Sequence, residues 1–310
     1  LAAACDIRAE RAAVLPEGVP FYEEYETLLD EAKPDVVHLC LPHYLHSIVA
    51  EAALKRGIAV FTEKPMASTY EGAKKMCEMD ENYDALLGIC LQNRLNPVNQ
   101  KLLALCRSGE YGEVRGVKGR VDWFRPQAYY LAEPWRGKKE EAGSGCILNQ
   151  AIHTLDLMTL IKPDIPDHVS GAMLRLSDYP IEVEDTATAH IVYEDGCCSY
   201  FSATVLNHSN EDVELTVLLD KGMLIVRGNS LYFSGGGQTT LLHRDDPCQG
   251  EKAYYGSSHG QCMENFYRSL ENGEDLYIHA KDALPAMKIY EAIRRSSAAG
   301  GKSISMASIS

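Results

Sequence analysis

Lys64 sits between Glu63 and Pro65 just past an apolar run, Ile58 to Thr62, and far downstream a helical stretch carries Asn149, His153 and Asp156. A lysine held at a strand's carboxyl edge can donate a hydrogen bond to a substrate oxygen or help move its proton, and a neutral imidazole suits deprotonation of an alcohol near pH 7. Together they would make a proton-transfer pair beside a bound cofactor. Asn149 and His153 are one helical turn apart and Asp156 lies about one turn further on, so the three can share a face. On that face Asn149 would orient His153 or a substrate hydroxyl, and Asp156 would support His153 or the helix. Taken singly, each residue also has a plainer reading: a surface lysine after a strand, a core histidine on a helix.

Three further groups bear on binding. Tyr129-Tyr130, followed by Trp135-Arg136-Gly137, offers aromatic faces plus a guanidinium, a combination that binds a polyhydroxylated ring by stacking and hydrogen bonding. Tyr130, Trp135 and Arg136 are therefore candidate substrate contacts, and Arg94, beside Gln92 and Asn93 after another apolar run, is a fourth. Pro42-His43-Tyr44-Leu45-His46 follows the run Asp35 to Leu41, which makes Pro42, His43 and His46 cofactor-lining candidates at a sheet's carboxyl edge, with Glu63, Lys64 and Pro65 beside them. The spacing of the two histidines is usable for a metal, but no third His, Cys or carboxylate is placed with them and no metal is expected.

The elements that must position these residues change character along the chain. In the first ninety or so residues, short continuous apolar runs alternate with helical patterns: Ala2 to Cys5, Asp35 to Leu41, Ile58 to Thr62 and Ala85 to Leu91 read as strands of a parallel sheet covered on both faces. Leu45, Ile48, Val49, Ala52 and Ala53 follow helical spacing, with Gly57 where a left-handed cap is expected. This is the pattern of a Rossmann unit, and it gives Asp6 a meaning besides that of a surface or capping residue. An acidic residue just after the second strand can accept hydrogen bonds from the adenosine ribose, favouring NAD because a 2′-phosphate would be repelled, while Arg8 leaves NADP open. The glycine-rich phosphate loop of that fold lies about 20 residues before the acidic residue, whereas five residues precede Asp6. The first strand, glycine loop and helix are thus expected to be missing from this chain, and NAD binding by the 310-residue form to be weak.

Beyond a helix near Pro97 to Arg107, β-rich runs from Val114 to Trp123 and between His168 and Leu242 alternate with turns such as Glu194-Asp195-Gly196, predicting a mostly antiparallel sheet. Helices are predicted over about 145–161, 260–272 and 280–298. The expected division is 1–94, the dinucleotide-binding domain, and 95–310, a substrate-binding and oligomerisation domain, a size of 310 residues and 34.3 kDa being large for one core. A net charge of −14 argues against nucleic acid, which draws on clustered Lys and Arg. No stretch suits a bilayer span. The ten cysteines form no Cys-x-x-Cys pair and are scattered like small apolar residues, which suggests reduced thiols in the cytoplasm.

Taken together, these segments resemble the glucose-fructose oxidoreductase and inositol dehydrogenase family, the Gfo/Idh/MocA oxidoreductases. The resemblance rests on Cys5-Asp6-Ile7, Leu41-Pro42-His43-Tyr44-Leu45-His46, Glu63-Lys64-Pro65, Gln92-Asn93-Arg94, Trp135-Arg136-Gly137, Gly143-Ser144-Gly145, Asn149-Gln150-Ala151-Ile152-His153 and Glu184-Asp185-Thr186, in family order over nearly the whole chain. It implies an α/β protein: an N-terminal NAD(P)-binding Rossmann fold and a C-terminal α/β domain whose open sheet forms a homodimer or homotetramer interface. It also implies a tightly held nicotinamide cofactor, a sugar, cyclitol or related polyol as substrate, and Lys64 and His153 as the catalytic pair. Asn149 stands where many members carry aspartate. An amide cannot serve as a carboxylate base, so the proton burden falls on His153 and Lys64. Two other activities occur among similar proteins, an NAD-using glycosidase and a non-catalytic ligand sensor; an intact Lys64 and His153 favour an enzyme over a sensor, and release of aglycone without net NADH would mark the glycosidase.

Overall fold

The computed structural model describes residues 1–246 and 256–309. Near the N-terminus β1 (Ala4–Cys5) pairs in parallel with β2 (Phe21–Tyr22), and α1 (Tyr25–Glu31) leads into a three-stranded parallel sheet. Its strands are β3 (Val36–Leu39), β4 (Ala59–Thr62) and β5 (Leu87–Ile89), joined by α2 (His43–Leu54) and α3 (Tyr70–Asn82). β4 is the central strand and all four of its residues are buried, as a run without polar alternation requires when both faces are covered. α2 buries Val49, Ala50, Ala53 and Leu54, and Gly57 beyond it takes the left-handed conformation that ends the helix cheaply. One expectation is corrected here. The parallel strands form two separate sheets, because β1 bonds only to β2 among the described residues; an apolar groove of about 470 Å³, lined by Ala4, Leu29, Val37 and Leu39, separates β1 from β3.

The second half begins with α4 (Pro97–Ser108), whose proline stands in the first turn and whose capping Gly109 is left-handed. There follow β6 (Val114–Asp122), the short helices α5 (Gln127–Ala132) and α6 (Lys139–Ala142), a π-helical turn at Ile147–Ala151, and α7 (Ile152–Ile161). Then come β7 (Pro166–Leu174), β8 (Thr186–Tyr193), β9 (Cys198–Thr204), β10 (Glu214–Leu219), β11 (Gly222–Arg227), β12 (Ser230–Gly235) and β13 (Gln238–Arg244), followed by α8 (His259–Asn272), α9 (Ala280–Ala298) and β14 (Ile304–Ser305). One nine-stranded sheet runs β13-β12-β11-β10-β6-β9-β8-β7-β14, antiparallel at every pairing except β6 with β9. α7 lies so close on β6 that a side chain at Gly119 would strike Met158 and Thr154.

The C-terminal helices return to the first half. Phe266 of α8 packs on Phe61 of β4 with ring centroids 5.3 Å apart, and the Ile89 amide donates to the Ile278 carbonyl at 2.9 Å. A single apolar core therefore continues from the parallel sheet through α9 into the large sheet. The described cysteines are all free thiols, and Cys248 lies outside the described residues. Among the described residues no helix is long and apolar enough to cross a membrane.

Candidate active site

β4 ends at Thr62, so Glu63, Lys64 and Pro65 turn outward at its carboxyl edge, with a cis Lys64–Pro65 peptide. From there the Lys64 ammonium reaches into the second half of the chain and donates to the Asn149 carbonyl at 2.6 Å. Asn149 lies inside the π-helical turn that precedes α7. Uniform helix was expected over 145–161; the wider turn instead sits where the chain meets Lys64, a placement common for π-bulges at functional sites. Partial burial lowers the pKa of Lys64, against the pull of neighbouring Glu63 in the other direction. Burial also works against the charge of Glu63, but the His259 hydrogen bond at 2.9 Å and Lys64 prevail and hold its carboxyl below the usual range.

His153, one turn into α7, is buried and faces the same group. Burial first and the Lys64 charge second depress its pKa to about 3, so the ring is neutral throughout the ordinary pH range. Around this pair, the Tyr129 hydroxyl donates to Asn149 Oδ1 at 3.4 Å and accepts from Gln150 Nε2 at 3.2 Å. The Arg136 guanidinium lies 4.5 Å from the centroid of the Tyr129 ring, and Trp135 stands edge-on to His43 at 4.9 Å.

Other sequence candidates are placed elsewhere. Tyr130 is buried in a small apolar cluster with Ala142, Ile181 and Val183, while its neighbour Tyr129 takes the position beside Asn149. Consecutive residues on α5 point about 100° apart, so only one of the two can face the site. Arg94 does not join the Lys64 group: it clamps Asp156 through two bonds of 2.7 Å and donates to the Asp282 carbonyl, tying the turn after β5 to α7 and α9. Asp156 thereby serves Arg94 rather than His153. His46 is fully buried, with Nδ1 2.7 Å from the Pro65 carbonyl and Nε2 2.9 Å from the Leu41 carbonyl. Its burial-lowered pKa keeps the ring neutral, so it can donate to only one of them, and it fastens the Lys64 turn to α2 instead of lining a cleft. His43, also buried, donates to the Ala142 carbonyl at 2.9 Å. Pro42 immediately precedes α2 at the carboxyl end of β3.

One supporting residue went without a role in the sequence. Glu184 is buried and its carboxylate accepts from Ser144 Oγ at 2.6 Å, Gly145 N at 2.8 Å and Ile147 N at 3.1 Å, satisfying the first amides of the helix that carries Asn149 and His153. A side chain at Gly145 would land on the Glu184 carbonyl, which explains the glycine there. The only sign of this in the sequence was the Glu184-Asp185-Thr186 motif itself.

A dinucleotide fits the chemistry at both ends of this edge. Asp6, just past β1, offers carboxylate oxygens suited to ribose hydroxyls; its bonds from the Arg8 amide (2.9 Å) and Nε (3.4 Å) both go to Oδ1. Arg8 is also held by Glu133 at 3.1 Å. At the other end, Lys64 supplies a cationic donor beside a neutral imidazole.

Comparison with known proteins agrees. Residues 1–89 match the model of an oxidoreductase family with an NAD-binding Rossmann fold, and residues 99–225 match the GFO/IDH/MocA C-terminal domain. The D-xylose 1-dehydrogenase [NADP(+)] of Haloarcula marismortui is 26% identical over 225 residues, 72% of this chain and 61% of that protein. The D-glucoside 3-dehydrogenase of Escherichia coli is 30% identical over 165 residues, 50% of this chain and 44% of that protein. The chain thus spans about half to three fifths of these curated relatives. Among solved structures, the WlbA dehydrogenase from Bordetella pertussis, in complex with NADH and UDP-GlcNAcA, superposes with a TM-score of 0.83 at 26% identity, covering 98% of this chain and 90% of that one. With both halves matched, the fold shared end to end and the motifs in order, the chain belongs to the Gfo/Idh/MocA oxidoreductase family.

Proposed function

We propose that this protein is an NAD(P)-dependent dehydrogenase that oxidises a CH–OH group of a sugar, cyclitol or related polyol, or reduces the corresponding carbonyl. The observation that carries the reading is the Lys64 bond to the Asn149 carbonyl, which joins the carboxyl edge of the parallel sheet to the helix of His153. A bound nicotinamide would supply the hydride-accepting chemistry at the alcohol carbon. His153, neutral at rest, accepts the hydroxyl proton, and Lys64 donates to the oxygen as negative charge develops on it. Burial and, after it, the Lys64 charge oppose protonation of His153. Asn149 and Tyr129 orient the substrate hydroxyl, while Trp135 and Arg136 form the rim against the sugar ring. Asp6 favours NAD over NADP; Pro42, His43, Glu63 and Pro65 shape the wall on the cofactor side, and His46 behind them holds the Lys64 turn.

The same reading assigns residues 1–94 to cofactor and 95–310 to substrate and self-association, in a cytoplasmic homodimer or homotetramer. It rests on membership of the family and on relatives whose names are those of sugar dehydrogenases. Incubating the protein with NAD or NADP at concentrations high enough to saturate a weak site, together with a panel of aldoses, cyclitols, glucosides and nucleotide sugars, and following absorbance of the reduced nicotinamide, tests it. Turnover with at least one of these is expected. Cofactor binding without reduction by any of them would replace the enzyme with a sensor.

A further inference from the structure

Three side chains that play no part in this mechanism's proton transfer, or only border it, converge between the carboxyl ends of β4 and β5 and the first turn of α8. Glu63 follows β4, Cys90 follows β5, and His259 opens α8. A carboxylate oxygen of Glu63, the Cys90 sulfur and a ring nitrogen of His259 all lie within 4.8 Å of one another. Cys262 is buried one helical turn from His259 along α8. A thiol sulfur, an imidazole and a carboxylate make a three-ligand set of the kind that zinc accepts, with Cys262 a candidate for the fourth position.

The distances are close to what such a site needs. Tetrahedral coordination at about 2.0–2.3 Å places ligand atoms roughly 3.3–3.8 Å apart, so small side-chain rotations suffice to draw the cluster together. Two of its members already touch, His259 Nε2 lying 2.9 Å from Glu63 Oε1, while the Cys90 thiol donates to Gln92 Oε1 outside the cluster at 3.5 Å. Both cysteines are buried, whereas the His259 side chain is 48% exposed and provides the way in. Backbone bonds fix the frame, the Cys90 amide donating to the Thr62 carbonyl at 2.8 Å and the Cys262 amide to Ser258 at 2.9 Å. Three distant segments contribute ligands, so only His259-x-x-Cys262 is visible as a spacing in the sequence.

We propose that Glu63, Cys90 and His259 bind one zinc ion that fastens α8 to the ends of β4 and β5, next to Lys64. Binding displaces the Cys90 thiol proton to solvent and leaves the fourth tetrahedral position to Cys262 or to water. The proposal is independent of the substrate and of turnover.

Cobalt(II) titration of the reduced 310-residue chain, stripped of metal, reads the site directly. One equivalent should bind with a thiolate-to-cobalt charge-transfer band and the visible bands of tetrahedral cobalt, and zinc should displace it and raise the melting temperature. His259→Gln, at an exposed position that leaves the core intact, and Cys90→Ser should each weaken cobalt binding at least about tenfold. A folded, reduced protein that develops no charge-transfer band overturns the proposal. So does cobalt binding that His259→Gln leaves unchanged, or a Cys90–Cys262 disulfide in the purified protein with no metal uptake after its reduction.

Discussion

At the scale of single residues, the group around Lys64 separates chemistry from support. Lys64→Ala should lower kcat by about 10²–10⁴-fold with the circular dichroism spectrum unchanged, since it removes the donor to the reacting oxygen without opening the core; near-native turnover would take Lys64 out of the mechanism. The two adjacent tyrosines should divide cleanly. Tyr129→Phe deletes a hydroxyl shared by Asn149 and Gln150 and should raise KM roughly three- to tenfold at little cost in stability. Tyr130→Ala instead empties part of a packed cluster and should cost about 3–5 kcal/mol in urea unfolding while sparing KM. Burial lowers the pKa of His43, His46 and His153, the last to about 3, below the ordinary 6.5. Between those values the unfolded chain binds more protons than the folded one, so this stability is complete above pH 6.5 and is lost as pH falls. The urea midpoint should therefore drop between about pH 7 and pH 5, and His153→Asn should flatten part of that slope; an unchanged slope would mean that His153 is not buried neutral.

At the scale of elements, α7 is placed by charges at both ends. Glu184 satisfies donors at the start of its helical segment, and Asp156 within it is clamped by Arg94 from the turn after β5. Because the Arg94–Asp156 pair is buried, Asp156→Ala should leave an uncompensated guanidinium and cost about 3–5 kcal/mol, measured as a shift in urea midpoint. The strands that carry the parallel sheet were legible because continuous apolar runs such as Ala59 to Thr62 can only be central strands or buried helix, and their length decides for strand. The helix over 280–298 was equally plain. The π-helical turn at Ile147–Ala151 was not: its residues are ordinary helix formers, and the change of pitch coincides with the Lys64 ammonium arriving from another part of the chain.

At the scale of the whole molecule, the large sheet is covered by helices on one side, and its other side carries half-exposed apolar residues such as Tyr200 and Leu174. Light scattering at micromolar concentration is expected to give a mass of at least twice 34.3 kDa; a monomer would count against self-association through this sheet. By itself the sequence determined the residue types that can do the chemistry, the order of strands and helices, and the family motifs, because these depend on local spacing and on hydrophobic period. Which tyrosine faces Asn149, that Arg94 binds Asp156 instead of facing the Lys64 group, that His46 fastens the Lys64 turn, and that Glu63, Cys90 and His259 meet at one point were decided only by the tertiary structure. The reason is physical: a side chain's direction, burial and partner depend on contacts between segments up to two hundred residues apart, and no local pattern encodes those contacts.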